Sequence, residues 1–295
     1  MPSGDVAVLR WLGTSNYELA YHGRVVLMDT YFDRPARTPS LGFQVAQVTR
    51  ADVILIGHAH SDHISDVAQV AAQTRAPVVG SAISTATAVT LGVPASQIVT
   101  VAGGETLRYG DITIRPVHIA HSTVPPGLIP ALDALYEVDA SPLTDAEKAQ
   151  SNAVDARGSD DPKVMTEGTI GYTLTLQNGY RIVWFDSVGL ATDDELRLAK
   201  DIAPIDVGIF PWGPHPIAET QLALTFRHIE LFKPRLYLPD HHDGIWGVVL
   251  DNGLAPLFMK IRDDAPDTRY AQPLYRSAIC LQTDGPGRGA FFQGR

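Results

Sequence analysis

The stretch Gly57-His58-Ala59-His60-Ser61-Asp62-His63 decides what this chain can be. It places three histidines and a carboxylate directly after the apolar run Val53-Ile54-Leu55-Ile56. Neutral imidazole nitrogens and carboxylate oxygens are the ligands that borderline cations such as Zn²⁺ prefer. The whole chain has only 10 histidines, so chance does not account for this spacing. The stretch therefore predicts a metal site.

The residues on either side of this stretch place it on a loop between a strand and a helix. The apolar run before Gly57 predicts a buried strand, and the apolar spacing from His63 to Ala72 predicts a helix. Loops at the carboxyl ends of strands carry the active sites of α/β folds, because the scaffold beneath them is rigid. We therefore expect a catalytic site that leaves one coordination position for water.

The order His-x-His-x-Asp-His after a buried strand resembles the hallmark of the metallo-β-lactamase superfamily. The third histidine of that superfamily follows a later strand, where His121 is the better match and His118 the alternative. Its bridging aspartate resembles Asp186, which follows a further β-type run. Its last histidine resembles His241, with His242 as the alternative.

The resemblance implies a role for each of these residues. One divalent cation would be held by His58, His60 and His121, and a second by Asp62, His63 and His241, with Asp186 bridging the two. The expected cofactors are two divalent metal ions, with Zn²⁺ first and Mn²⁺ or Fe²⁺ as alternatives.

The order of apolar runs agrees with the fold that the resemblance implies. That fold is an α/β sandwich in αββα order, with two mixed β-sheets flanked by helices, and it would use residues 1–295 as one domain. The turn Asn178-Gly179 between two β-type runs predicts a hairpin. Residues 11–19 and 25–31 resemble the opening hairpin of the branch that includes ascorbate-6-phosphate lactonase and the N-acylphosphatidylethanolamine phospholipase D-like enzymes.

An insertion at about 124–168 interrupts the alternation of strands and helices. It has an apolar, proline-rich first half and a polar second half, and it begins beside His121. A connection of this length without regular strands is usually a lid or a binding loop. We expect it to form a lid over the active site.

Composition limits the possible partners. The chain has 295 residues and a formal net charge of −10, without the cluster of Lys and Arg that nucleic-acid binding requires. No apolar run approaches the ~20 residues of a membrane span, and residues 1–5 do not resemble a signal peptide. These features predict a cytoplasmic protein that acts on a small-molecule substrate.

The ligand set predicts hydrolysis. Two cations would acidify a bridging water, whose hydroxide would attack a small ester, lactone or amide. Candidates for a direct catalytic role are Asp62 and His215, which lies on a strand-to-helix loop and could protonate a leaving group. One alternative is a phosphodiesterase or phospholipase D-like enzyme, for which Lys163, Arg157 and Arg227 are the candidate anion-binding residues. A non-catalytic metal- or partner-binding module is the second alternative.

Overall fold

A computed structural model of the chain describes residues 5–123, 142–212, 218–243 and 253–294. Its strands, in chain order, are β1 (Val6–Trp11), β2 (Tyr17–Tyr21), β3 (Arg24–Met28), β4 (Val53–Leu55), β5 (Val78–Gly80), β6 (Ile98–Thr100), β7 (Leu107–Tyr109), β8 (Ile112–His118), β9 (Ile170–Leu176), β10 (Arg181–Trp184), β11 (Val207–Pro211), β12 (Leu236–Asp240), β13 (Arg269–Tyr270), β14 (Ala278–Gln282) and β15 (Phe291–Gln293).

The α-helices of the described residues are α1 (Ser61–Ile64), α2 (Val67–Thr74), α3 (Ala82–Leu91), α4 (Asp145–Asp155), α5 (Lys163–Glu167), α6 (Asp193–Ile202), α7 (Ala218–Phe232) and α8 (Ala255–Asp264). Within these ranges, no helix combines the length and the apolar character needed to cross a membrane.

The strands form two mixed sheets. One has the order β15-β14-β1-β2-β3-β4-β5-β6, and the other has the order β13-β12-β11-β10-β9-β8-β7. In the first sheet, β3 to β6 run parallel and the remaining pairs are antiparallel. In the second sheet, β10 to β13 are parallel and β7 to β10 are antiparallel.

The buried apolar residues fall into three layers. The central layer lies between the sheets and combines side chains such as Leu9 and Leu19 of the first sheet with Tyr172 and Trp184 of the second. A second layer packs α2 and α3 against the outer face of the first sheet. The third packs α6, α7 and α8 against the outer face of the second sheet. Because each sheet buries both faces, the arrangement is the predicted αββα sandwich.

One local prediction was wrong. The apolar spacing from His63 to Ala72 suggested a single helix, but the chain forms α1 and α2 with a break at Ser65 and Asp66. The Asp66 N–H donates to the carbonyl of Thr30 at 2.9 Å and so leaves the helical pattern. The Asp66 carboxylate then accepts the N–H groups of Phe32 and Asp33. The break therefore attaches the loop after β3 to the metal-ligand stretch.

A histidine links the sheets at the end of the sandwich away from that stretch. His22, in the β2–β3 turn, lies 2.7 Å from an Asp5 oxygen and 2.8 Å from an Asp111 oxygen in the turn before β8. Hydrogen bonds to Asp111 and Asp5 raise the pKa of His22 above 6.5. The contribution of protonated His22 to the free energy of unfolding is thus complete below pH 6.5. It is lost as the pH rises through the raised pKa of His22 in the folded state.

We expect His22→Asn to abolish this pH dependence, because asparagine has no titratable group and tolerates the positive φ of 47° at residue 22. The His22 side chain is 38% exposed, so the effect should be at most about 0.5–1 kcal/mol. Urea unfolding of both proteins at pH 6 and at pH 9 measures it. An equal change with pH in the two proteins would contradict the assignment.

Candidate metal centre

The predicted ligands meet at one edge of the sandwich. The His58–His63 stretch follows β4, and His121 follows β8. Asp186 and His241 follow β10 and β12 of the second sheet. The Ile170 N–H donates to the carbonyl of Gly57 at 2.8 Å, which joins the two sheets beside the stretch. Both sheets therefore contribute to one site, in the position where α/β folds collect ligands.

Three imidazole rings form a first cluster. His58 Nε2 lies 3.0 Å from His60 Nδ1 and 3.2 Å from His121 Nε2. These three residues form one of the groups that could hold a metal ion. Two nitrogens bound at about 2.1 Å to one tetrahedral cation lie roughly 3.4 Å apart. The spacing of this cluster, which we call the first triad, therefore fits a cation.

A second cluster combines a carboxylate with two rings. His241 Nε2 lies 3.3 Å from His63 Nε2 and 3.3 Å from an Asp62 oxygen. The same Asp62 oxygen is 3.5 Å from His63 Nε2. These residues, the second triad, also form a group that could hold a metal ion. The donor set of two nitrogens and one oxygen leaves a coordination position for water.

Hydrogen bonds on the far side of three rings fix which nitrogen faces each triad. His121 Nδ1 donates to the carbonyl of Ser122. His63 Nδ1 donates to the Asp29 carboxylate at 2.7 Å, and His58 Nδ1 donates to Asp186 at 2.6 Å. In the neutral ring, each Nε2 then has a lone pair directed into its triad. Such outer contacts hold ligating histidines in one tautomer and one orientation.

The electrostatics of the first triad and of Asp62 favour the protonation states that ligands need, whereas Asp62, Asp29 and Asp186 outweigh burial and raise the pKa of His63 well above its ordinary value. Burial lowers the pKa of His58 well below its ordinary value, and the neighbouring His63 and His121 lower it further. Burial also lowers the pKa of His60, and it lowers the pKa of His121 to about 3. Burial opposes ionisation of Asp62, but His63 and His241 hold its pKa well below the usual value. The first triad therefore offers neutral imidazoles, and the second offers an ionised carboxylate.

Asp186 contacts one histidine of each triad. One of its oxygens is 2.6 Å from His58 Nδ1 and 3.4 Å from His63 Nδ1. Its other oxygen is buried and has no hydrogen-bond partner within the described part of the chain. A Cβ at Gly57 would lie 1.9 Å from the carboxylate, so only glycine leaves room for it there. These contacts are those of a carboxylate that orients the rings of ligating histidines. The second oxygen is the one available to a cation. Bridging by Asp186 stays a prediction.

Asp29 was given no role in the sequence analysis. It follows β3 directly, and its two oxygens accept the Gly57 N–H at 3.0 Å and His63 Nδ1 at 2.7 Å. The position of Asp29 directly after a strand could have indicated its role, because β3 and β4 are adjacent parallel strands whose carboxyl ends share an edge. Asp29 holds both the start of the ligand stretch and the ring of His63.

A buried ion pair supports the segment that carries His241. Arg34 donates to Asp243 at 2.7 Å, and these side chains are only 5% and 7% exposed. Asp243 also accepts the Thr14 N–H at 2.9 Å and the Tyr275 hydroxyl at 2.6 Å. The Thr14 carbonyl in turn accepts the His241 N–H at 2.9 Å. The loop after β3, the β1–β2 turn and the segment after β12 are thus joined in one network.

Three residues at this centre have strained backbone conformations. Thr14, Asp29 and His241 have φ values of 47, 58 and 57°, in the left-handed region that non-glycine residues rarely adopt. Such conformations persist where surrounding contacts over-determine them, and they cluster at functional sites. Here the contacts are the hydrogen bonds of Thr14 to Asp243, of Asp29 to Gly57 and His63, and of the His241 N–H to the carbonyl of Thr14.

The alternative metal ligands that the sequence left open, His118 and His242, lie outside the two triads. His118 lies at the end of β8 and belongs to none of the metal-holding groups found among the described residues. His242 stacks on Trp11 with ring centroids 4.3 Å apart, and it likewise lies outside these groups. His215 and residues 124–141 of the expected lid lie outside the described residues.

The fold and the two triads together define a class of protein: an αββα sandwich with a histidine- and aspartate-rich centre at one edge. The profile of the beta-lactamase superfamily domain matches residues 24–242, and the chain belongs to the metallo-β-lactamase superfamily. A metal-dependent hydrolase of Cupriavidus necator is 28% identical over 247 residues, which are 82% of this chain and 75% of that protein.

Solved structures show the same fold. The metallo hydrolase Igni18 of Ignicoccus hospitalis aligns with a TM-score of 0.64 at 14% identity, covering 95% of this chain and 100% of its own. The isothiocyanate hydrolase from Delia radicum gut bacteria aligns with a TM-score of 0.58 at 14% identity, covering 92% of this chain and 98% of its own.

Proposed function

We propose that the protein is a dinuclear metal-dependent hydrolase of small, uncharged esters, lactones or amides. The observation that carries the proposal is the pair of adjacent triads, in which ring nitrogens approach one another within 3.0 to 3.3 Å. In the first triad these nitrogens belong to neutral rings whose facing lone pairs repel one another, and a cation between them would remove that repulsion. In the second triad, the carboxylates of Asp62, Asp29 and Asp186 outweigh burial and raise the pKa of His63, and a cation would take the place of its Nε2 proton. Zn²⁺ suits this set of nitrogen and carboxylate donors, with Mn²⁺ and Fe²⁺ as alternatives.

In the proposed reaction, one cation would be held by His58, His60 and His121 and a second by Asp62, His63 and His241. When bound, the two would supply Lewis-acid activation of water and of the scissile group. Asp29 keeps His63 in its Nδ1-protonated tautomer. Asp62 is the candidate for orienting the water, because its ionised side chain is 12% exposed whereas that of Asp186 is fully buried. His215 remains the candidate proton donor to the leaving group.

The charges around the open side favour an uncharged substrate. The carboxylate of Asp160 acts to raise the pKa of His60, and burial together with Asp62 and Asp160 raises the pKa of Asp155. Arg157, a candidate anion-binding residue, is instead paired with Asp33 at 2.8 Å. The segments 124–141, 213–217 and 244–252 contain no Lys or Arg. A phosphodiester would therefore find little cationic support beyond the metal ions themselves.

The two parts of the insertion differ in their proposed roles. Residues 142–168 form α4 and α5 against the body of the domain, as described below. We propose that the apolar segment 124–141 covers the substrate, so that replacing residues 128–136 by a Gly/Ser linker should reduce discrimination among substrates while metal binding persists.

We expect purified protein to bind two divalent cations per chain and to hydrolyse uncharged esters, lactones or amides in preference to phosphodiesters. Elemental analysis and a substrate panel, run on the same sample before and after chelation, measure both quantities. A single bound ion with full activity would contradict the dinuclear proposal. Faster turnover of phosphodiesters than of every carbonyl substrate would replace it by the phosphodiesterase alternative, and metal binding without any turnover would support a binding module.

A further inference from the structure

The last residue of α4 and the turn after it contact the metal-ligand stretch at several points. The Ser159 N–H donates to the carbonyl of Ala59 at 2.8 Å. Gly158 lies so close to this stretch that a Cβ would come within 2.4 Å of the Ser61 nitrogen. The φ of Gly158 is outside the left-handed region, so glycine is required here for space and not for conformation. Two consecutive residues thus pack directly on the ligand backbone.

Side chains of the same turn extend the contact. The Asp155 carboxyl lies near the side chain of Ser61, which lowers the pKa of that carboxyl against the effect of burial. Arg157 pairs with Asp33 at 2.8 Å and approaches an Asp66 oxygen at 3.4 Å. The residues contacted on the ligand stretch, Ala59 and Ser61, alternate with the ligands His58, His60 and Asp62. The turn therefore holds the stretch through the positions that do not bind metal.

The other end of α4 is anchored independently. Arg37 makes two hydrogen bonds to the Glu147 carboxylate, at 2.9 and 3.0 Å. Glu147 also closes a capping box with Thr144 at the N-terminus of the helix. Because α4 is fixed at both ends, the turn after it is supported by a rigid element.

We propose that Asp155–Ser159, which we call the clamp, is a positioning element that holds the His58–His63 stretch in its metal-binding shape. The proposal rests on the metal centre put forward above. If the backbone that carries the metal ligands had to become ordered on binding, the lost conformational entropy would reduce metal affinity. A stretch that is already held in shape avoids this loss. The clamp supplies this order from an insertion that lies about 100 residues away in sequence, as the Ser159–Ala59 bond shows.

Gly158→Ala tests the clamp directly. The added Cβ must displace the Ser61 backbone, so we expect roughly tenfold or greater weakening of metal binding, the size seen when outer contacts of a metal site are lost. Competition with a chromophoric chelator measures affinity, and the absorption spectrum of the Co²⁺-loaded protein should also change. The matched control is Gly253→Ala, because no atom of the described residues lies within 4 Å of the Cβ position of that glycine.

Arg157→Met is the second variant. The change in charge and the loss of the clamp are expected to have opposite effects on its metal affinity. Removing a positive charge near a cation site would by itself tighten metal binding, whereas loss of the clamp weakens it. Arg157 is one-third exposed, so the variant should fold. Unchanged or tighter binding in both variants, with two ions still bound by the wild type, would overturn the clamp and leave the proposed function standing.

The reverse outcome is also measurable. If the wild type binds no metal, the proposed function fails, and hydrogen exchange of the 59–63 amides then tests the clamp without metal. Faster exchange in Gly158→Ala than in Gly253→Ala supports the clamp, and equal exchange rejects it.

Discussion

Asp186→Ala is expected to weaken metal binding at both triads and to abolish most hydrolysis. The physical reason is that one carboxylate oxygen contacts Nδ1 of His58, in the first triad, and lies 3.4 Å from Nδ1 of His63, in the second. Removing it frees the ring of His58 and takes a negative charge away from His63, whose ring Asp29 still holds, and it also removes the second oxygen that is available to a cation. We expect each site to lose roughly 100-fold in affinity, measured by chelator competition and elemental analysis, together with a fall in kcat.

Two further variants sharpen this test. His241→Ala removes a member of the second triad alone, so it should empty that site and leave the first nearly intact. Asp206→Ala removes another buried aspartate, which bonds to Arg181 and Arg288 away from the centre, and it should lower stability without changing metal content. Equal partial losses in Asp186→Ala and His241→Ala would contradict a role for Asp186 at both sites.

Arg34→Met is expected to cause the largest loss of stability. It leaves the Asp243 carboxylate buried without its cation, and breaking a buried pair in this way costs about 3–5 kcal/mol. Burial opposes ionisation of Asp243, and Arg34 holds the pKa of this carboxyl below its usual value. We expect a decrease of roughly 10 °C in the melting temperature of the metal-free protein, measured by calorimetry. Because Thr14 joins Asp243 to His241, binding at the second triad should also weaken.

The matched control for Arg34→Met is Arg24→Met. Arg24 pairs with Asp52 at 2.7 Å, but its side chain is 51% exposed. Loss of such a surface pair should cost at most about 1 kcal/mol. If the two variants lowered the melting temperature equally, the buried network would not have the structural role assigned to it.

Much of the fold followed from local patterns. The turn Asn178-Gly179 and its flanking runs predicted the β9–β10 hairpin, and Gly179 has the φ of +78° that such a turn requires. The helical spacing of residues 218–232 matches α7. The pattern failed at Ser65 and Asp66, because the bond from Asp66 to Thr30 depends on a neighbouring strand end that no local window contains.

The sequence by itself determined the chemistry of the centre: imidazoles and carboxylates in a rare spacing, each after a β-type run, which indicated ligand types and a common sheet edge. Tertiary structure decided which of His118 and His121, and which of His241 and His242, approach the other donors. It also supplied the outer contacts, such as His58 to Asp186 across 128 positions and Arg34 to Asp243 across 209. The physical reason is that donor chemistry is written in residue type and short spacing, whereas the orientation of each ring depends on packing between segments far apart in the chain.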